Sequence, residues 1–279
     1  MPKGKSRKAS ARSGFPAHAR LFTAHVAEDG PLAAAAGPVV RKSADLLTAQ
    51  EQATFKSAVT KAIADGTYSR LVNIHADMNH DMHTMPHMPA GTMRFLPWHR
   101  TFLIKFEQAL RIFEPTFFVP HWRWMDAGGI PAWMKSFKPS GVVNSAGKPI
   151  RITRDPGGDP SAPKLPTSQT IQATVMAKTD YRSFTLALEG AQPFGAHNLV
   201  HVWFHGTMSV VPTAPADPMF WMHHAEIDRL WAIWSAAHPG QQPTLAGHNA
   251  TLDPWTESYT DVLGTSDAGY AYSYDRMTL

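Results

Sequence analysis

Two histidine-rich blocks, more than ninety residues apart, constrain this chain more than any other feature. Residues 73–100 read NIHADMNHDMHTMPHMPAGTMRFLPWHR and carry His75, His80, His83, His87 and His99. Residues 197–224 read HNLVHVWFHGTMSVVPTAPADPMFWMHH and carry His197, His201, His205, His223 and His224. His197 and His201 are four apart, so on a helix both rings project from one face and can share one metal ion. A metalloprotease would need glutamate after the first of them; Asn198 stands there, so zinc hydrolysis loses support. Asp228 follows His224 by one helical turn and is expected to accept a hydrogen bond from its ring, fixing the tautomer.

The 279-residue chain has no cysteine, which excludes disulfides, thiolate metal sites and cysteine nucleophiles. Six or more imidazoles without a thiolate suit copper, zinc, iron or nickel, and ligand chemistry alone does not choose among them. Hydrophobic content of 43% and nine tryptophans suffice for a sizeable core. The net charge of +4 is local in origin: without Lys3, Lys5, Arg7, Lys8 and Arg12 the remainder stands at −1. That balance gives no reason to expect a nucleic-acid partner. No apolar run approaches the roughly 20 residues that span a bilayer. The basic N-terminus also lacks the apolar stretch of a secretory signal, so no membrane association is expected.

Thr48-Ala-Gln-Glu51 is a capping-box pattern, and Phe55, Val59 and Ile63 continue it as a helix that Gly66 stops. Further helices are expected from Tyr68 to about Met78, after the Pro97-Trp98-His99 turn, near Ala196, and from about His223 to His238. Residues 138–170, dense in Pro, Gly and Ser, read as a long irregular loop. Strand signals are few and short, for example Gly141–Val143 and Ile150–Ile152. The expected fold is mainly α: a core of four helices around the metal site, with long loops and a few short strands. Residues 1–20 are expected to form a basic, flexible tail and 21–279 one domain.

From about Arg41 to Tyr274 the chain resembles the type-3 copper family of tyrosinases, catechol oxidases and hemocyanins, in its bacterial tyrosinase or polyphenol oxidase form. The resemblance is carried by Phe95-Leu-Pro-Trp-His99-Arg100 with Glu107, by His197-Asn-Leu-Val-His201, and by Asp217-Pro-Met-Phe-Trp-Met-His223-His224-Ala-Glu-Ile-Asp228-Arg-Leu-Trp231. The Tyr270-Ala-Tyr272 pair is similar to the motif closing the tyrosinase core, and the resemblance implies that it packs near Arg41. It further implies two copper ions as cofactors and O₂ as co-substrate. The second copper would be held by His197, His201 and His224, and the first by His75, His99 and a middle ligand. Many relatives place that ligand nine residues before the last histidine of the motif, where this chain has Ala90. Met82-His83-Thr84-Met85 ahead of Gly91-Thr-Met-Arg-Phe95 is similar to a bacterial variant and favours His83 over His87, with His80 third. His121 replaces a usual tyrosine and is expected either to be structural or to support a ligand from behind.

What the resemblance implies is a copper oxidase that hydroxylates monophenols and oxidises o-diphenols to o-quinones. An oxidase of catechols or o-aminophenols with little hydroxylation is the alternative, and a non-catalytic oxygen- or copper-binding protein the remote one. Glu189 and Asn198 match an acid–amide pair holding the water that removes the phenol proton, whereas Val211 and His205 match the substrate entrance. The implied partners are small phenolic substrates and a small copper-loading or export protein. Localisation would then be cytoplasmic, or exported with that partner.

Overall fold

One helix, α3 (Gly91–Arg111), is buried on nearly every side and organises the rest. The computed structural model describes residues 39–87, 90–158, 164–190, 195–266 and 269–279, all within the unit Pro38–Leu279. The expected tail and its boundary at residue 21 lie outside the described residues.

The capping box forms as the sequence predicts. The Thr48 hydroxyl accepts from the Glu51 N–H at 3.2 Å, the Glu51 carboxylate accepts from the Thr48 N–H at 2.8 Å, and α1 (Ala49–Ala64) follows. Such a cap contributes about 1 kcal/mol. Phe55, Val59 and Ile63 face inward. Gly66, at φ 84°, turns the chain into α2 (Thr67–Ala76), a conformation that only glycine adopts cheaply. α2 ends two residues before the expected Met78, because Asp77 is extended.

α3 departs further from expectation: it starts at Gly91 and runs through Pro97 instead of following it. A proline in a helix removes one N–H and leaves a carbonyl one turn back without its donor. Here that carbonyl, on Met93, accepts from the Tyr181 hydroxyl at 3.2 Å, so the helix continues. Tyr181 belongs to α4 (Tyr181–Glu189), which the sequence reading did not find; its Asp180 cap accepts from the Ser183 N–H at 2.9 Å. α5 (Ala196–Phe204) starts where expected, and α6 (Met219–Ala237) starts four residues before His223. α3 packs against α1, α4 and α6. Stacked Phe106 and Trp221, 3.7 Å apart at 7°, lock α3 to α6.

Strands contribute little. β1 (Val39–Arg41) pairs in parallel with β2 (Tyr272–Tyr274), a pairing not foreseen. The strand signals near 141–152 yield only an isolated bridge, Val143 to Pro149. The described part of the 138–170 loop is otherwise irregular, apart from the start of a short turn at Ser168–Ile171. The fold is mainly α, as expected.

β1 and β2 bring a buried charge cluster together. Arg41 binds Glu107 at 2.9 Å and Asp228 at 3.2 Å, and its guanidinium lies 3.7 Å from the Tyr272 ring centre. Asp228 also accepts from Arg100 at 2.5 Å, Tyr272 at 2.6 Å and Tyr274 at 2.5 Å. Two expectations are corrected here. Tyr272 lies on Arg41 as expected, but its companion is Tyr274 and not Tyr270, because β2 begins at Tyr272 and its register sets Tyr274 opposite Arg41. Asp228 does not orient His224: its acceptors are taken up by two arginines and two tyrosines.

His121 is structural, held between Glu226 and Asp275 at 2.8 Å each, with Arg229 on Glu226. Burial opposes its charge, but the hydrogen bonds to Asp275 and Glu226 outweigh burial and raise its pKa. Burial likewise opposes the charges of Glu226 and Asp275, yet Arg229 and His121 hold the first low, and His121 the second. Stability from the raised imidazole is fully present below its ordinary value of about 6.5 and is lost as pH rises through the folded value. That from the depressed carboxylates is present above about pH 4 and is lost as pH falls through their folded values. His121→Asn is therefore expected to cost most stability between about pH 5 and 6.5 in urea unfolding, and less above. A cost that stays constant to about pH 9 would contradict this assignment.

Candidate metal centre

Four helices and one loop deliver the histidines to a common place. His75 comes from the last turn of α2, His99 from α3, His197 and His201 from α5, and His223 and His224 from α6. His83 lies on the irregular segment between the single turn Met78–His80 and α3. One ring nitrogen from each of His75, His83 and His99 falls within 4.8 Å of the others. Of the three choices for the middle position, the structure therefore brings His83 to the cluster. His80 is turned away to Asp253 at 2.6 Å, while exposed His87 faces a separate cleft of about 700 Å³.

The backbone of His83 is pinned by a glycine. A Cβ added to Gly91 would lie 1.8 Å from the His83 carbonyl oxygen, so no other residue lets α3 begin there. Gly195 acts similarly: a Cβ there would lie 2.5 Å from the Glu189 carbonyl carbon, so the end of α4 and the start of α5 can meet.

In the second block four rings converge. His197, His201 and His223 each offer a nitrogen within 4.8 Å of the others, while the His224 Nε2 lies 3.2 Å from that of His197. His224 borders the cavity between the blocks and stacks on His99 at 4.4 Å and 14°. His223 packs against His197, His201, His224 and Trp124. His224 thus faces the first cluster, whereas His223 stacks on His197 and does not line that cavity.

Protonation follows from the partners. His99 Nδ1 donates to the Phe95 carbonyl at 2.8 Å, His201 Nδ1 to the Met208 carbonyl at 2.7 Å, and His197 Nδ1 to Asn198 Oδ1 at 2.8 Å. His83 Nδ1 donates to Glu189 at 3.3 Å. An imidazole that spends its proton on Nδ1 carries a lone pair on Nε2. Those lone pairs converge: His201 on His197 at 3.1 Å, His197 on His224 at 3.2 Å, and His83 on His75 at 3.3 Å. Buried His99 Nε2 has no hydrogen-bond partner among the described residues. Burial first, and neighbouring imidazoles second, hold the pKa values of His75, His99, His197 and His224 well below the ordinary one. Burial lowers that of His201 to about 4. His197 and His201 both spend their proton on Nδ1, so their facing lone pairs repel one another unless a cation lies between them, and with the buried, unpartnered His99 Nε2 in the other cluster the donor set fits two metal ions.

A cavity of about 210 Å³ separates the clusters. Glu189, Asn198 and Val211 line it, with Met85, Met208 and Phe220 supplying apolar wall; His205 is not among its lining residues. The volume is below the roughly 300–1,000 Å³ of pockets for drug-sized ligands, and suits a single aromatic ring. Sequence reading missed Thr84, whose N–H and hydroxyl both donate to Glu189. Only knowledge of α4 could have revealed it.

The profile of the common central domain of tyrosinase matches residues 65–156 and 139–237. A tyrosinase from Streptomyces antibioticus is 31% identical, covering 78% of this chain and 93% of its own length. Grixazone synthase from Streptomyces griseus is 30% identical, covering 85% and 99%. Among solved structures, a functional unit of octopus hemocyanin superposes with a TM-score of 0.64 at 21% identity, covering 86% of this chain and 69% of that one. At that identity the likeness speaks for the fold alone.

Proposed function

The chain belongs to the tyrosinase family, and from that premise we propose a dinuclear copper oxidase that uses O₂ to hydroxylate monophenols and to oxidise o-diphenols to o-quinones. The observation carrying this reading is the convergence of imidazole nitrogens in two facing clusters. His75, His83 and His99 would hold the first copper, and His197, His201 and His224 the second. When bound, the copper pair supplies the electrons that reduce O₂ and the Lewis acidity that draws a phenol oxygen.

The chain's own groups do the rest. Phe95 packs on His99 at 4.7 Å and on His197 at 4.9 Å, and Phe220 on His224 at 4.1 Å, which keeps the rings fixed and bulk water away. Val211 leaves room at the cavity for a phenol ring. A carboxylate offers about four acceptor sites, of which Glu189 uses three on Thr84 and His83. The fourth, in the cavity that Asn198 also lines, would hold the water that takes the phenol proton. The reading extends to the small copper-loading partner the resemblance implies: five of the six ligand rings are buried, so copper must be delivered through the cavity. It would leave the protein cytoplasmic, or exported with that partner. No helix among the described residues is long and apolar enough to cross a membrane.

Oxygen uptake by copper-loaded protein with a monophenol, an o-diphenol and an o-aminophenol in parallel tests the reading. Three substrates are needed because a relative with a different name is about as similar as the tyrosinases. Turnover of the first two is expected, and Glu189→Gln should slow monophenol turnover by about 10²-fold or more while slowing o-diphenol turnover far less. Failure with every substrate would defeat the reading. An unchanged monophenol rate in Glu189→Gln would remove the proton-acceptor role.

A further inference from the structure

Five of the six ligand candidates sit on helices; His83 does not. A ring on an irregular segment has no backbone ladder to aim it, and sites on loops are less precise than sites on helices. Something else must hold this one. The neighbouring residue, Thr84, gives its N–H to Glu189 Oε1 at 2.8 Å and its hydroxyl to Glu189 Oε2. The Thr92 hydroxyl, in the first turn of α3, lies 3.1 Å from that of Thr84. The Thr92 carbonyl in turn accepts from Thr185 of α4 at 3.2 Å. Glu189, 2% exposed, is thereby fixed at both oxygens, and Oε1 also receives the His83 Nδ1 proton at 3.3 Å.

We propose that Thr84 is a positioning residue for the first half-site, stapling the His83 segment to α4 so that Glu189 aims the His83 Nε2 into the cluster. This rests on the reading of His83 as a ligand. The hydroxyl is the specific part. Without it Glu189 Oε2 loses its donor, the carboxylate is free to turn, and His83 Nδ1 loses the acceptor that sets its tautomer. Residues that orient a metal-bound imidazole typically govern affinity by 10–100-fold.

The test uses the full chain, copper(II) alone as probe, and two variants. Thr84→Val removes the hydroxyl at constant shape, and Thr84→Ser restores it. Chelator competition should show one of the two coppers bound about tenfold or more weaklier in Thr84→Val, with the other unchanged. The same variant should show the electron paramagnetic resonance signal of an isolated copper(II). Thr84→Ser should bind like the parent. Parental affinity for both coppers in Thr84→Val would overturn the proposal, as would an equal defect in both variants. Two tightly held coppers with lost monophenol turnover in Thr84→Val would overturn it too, leaving Glu189 as a proton acceptor only. Catechol oxidation by the parent is read separately: its absence would defeat the oxidase reading while the affinity comparison stood.

Discussion

Gly91→Ala is expected to strip the protein of its first copper and leave the second in place. The added Cβ would sit 1.8 Å from the His83 carbonyl oxygen and 2.5 Å from its carbonyl carbon. These are backbone atoms, so no rotamer change relieves the clash, and His83 or the start of α3 must shift. Overpacking of this kind costs about 1–3 kcal/mol, occasionally more. The functional cost is greater, since misplacing a reacting group by about 1 Å can cost 10²-fold in rate. Copper content should fall towards one per chain, and catechol-dependent oxygen uptake by roughly 10²-fold or more. Two coppers and near-normal uptake would show that the His83 segment does not depend on this contact.

Asp228→Asn should be among the most destabilising single changes. The carboxylate is 4% exposed and receives Arg41, Arg100, Tyr272 and Tyr274. Burial works against its charge, but the Arg100 and Arg41 guanidiniums and the two tyrosine hydroxyls hold its pKa low. Removing the charge leaves two buried arginines with Glu107 as the remaining carboxylate of the cluster. Breaking a buried ion pair by removing one partner typically costs about 3–5 kcal/mol. Out of a total stability of about 5–15 kcal/mol, that loss should lower the melting temperature by roughly 6–20 °C. His224 sits one turn earlier on α6, so copper affinity should fall with it. A melting temperature within about 2 °C of the parent would contradict this account of the cluster.

The placement of the second-block histidines was legible in the chain, because a four-residue spacing and a double histidine on helices need only the helical period to be placed. The first half-site was harder. His75 and His99 are helical, but His83 stands on an irregular segment where spacing carries no geometry, and only its likeness to a family segment favoured it over His87. α4 was missed because its Asp180 cap does not stand out in sequence and it carries no histidine pair of the kind that marked the equally short α5. Missing it hid Thr84's partner, 105 positions away. Asp228 was misassigned because helical spacing placed it one turn from His224, whereas tertiary charges from Arg41 and Arg100 claimed it. Pro97 suggested a helix start, since the hydroxyl that rescues the broken bond comes from α4. The Asp228 and Pro97 misses are long-range contacts overriding a local rule.

The account rests on two coppers held in two specific imidazole triads. Copper-edge anomalous diffraction from copper-loaded crystals reads this directly. Two peaks are predicted, one bonded to Nε2 of His75, His83 and His99 and the other to His197, His201 and His224. A single peak, a first ion in the cleft beside His87, or a second ion bonded to His223 in place of His224 would contradict it.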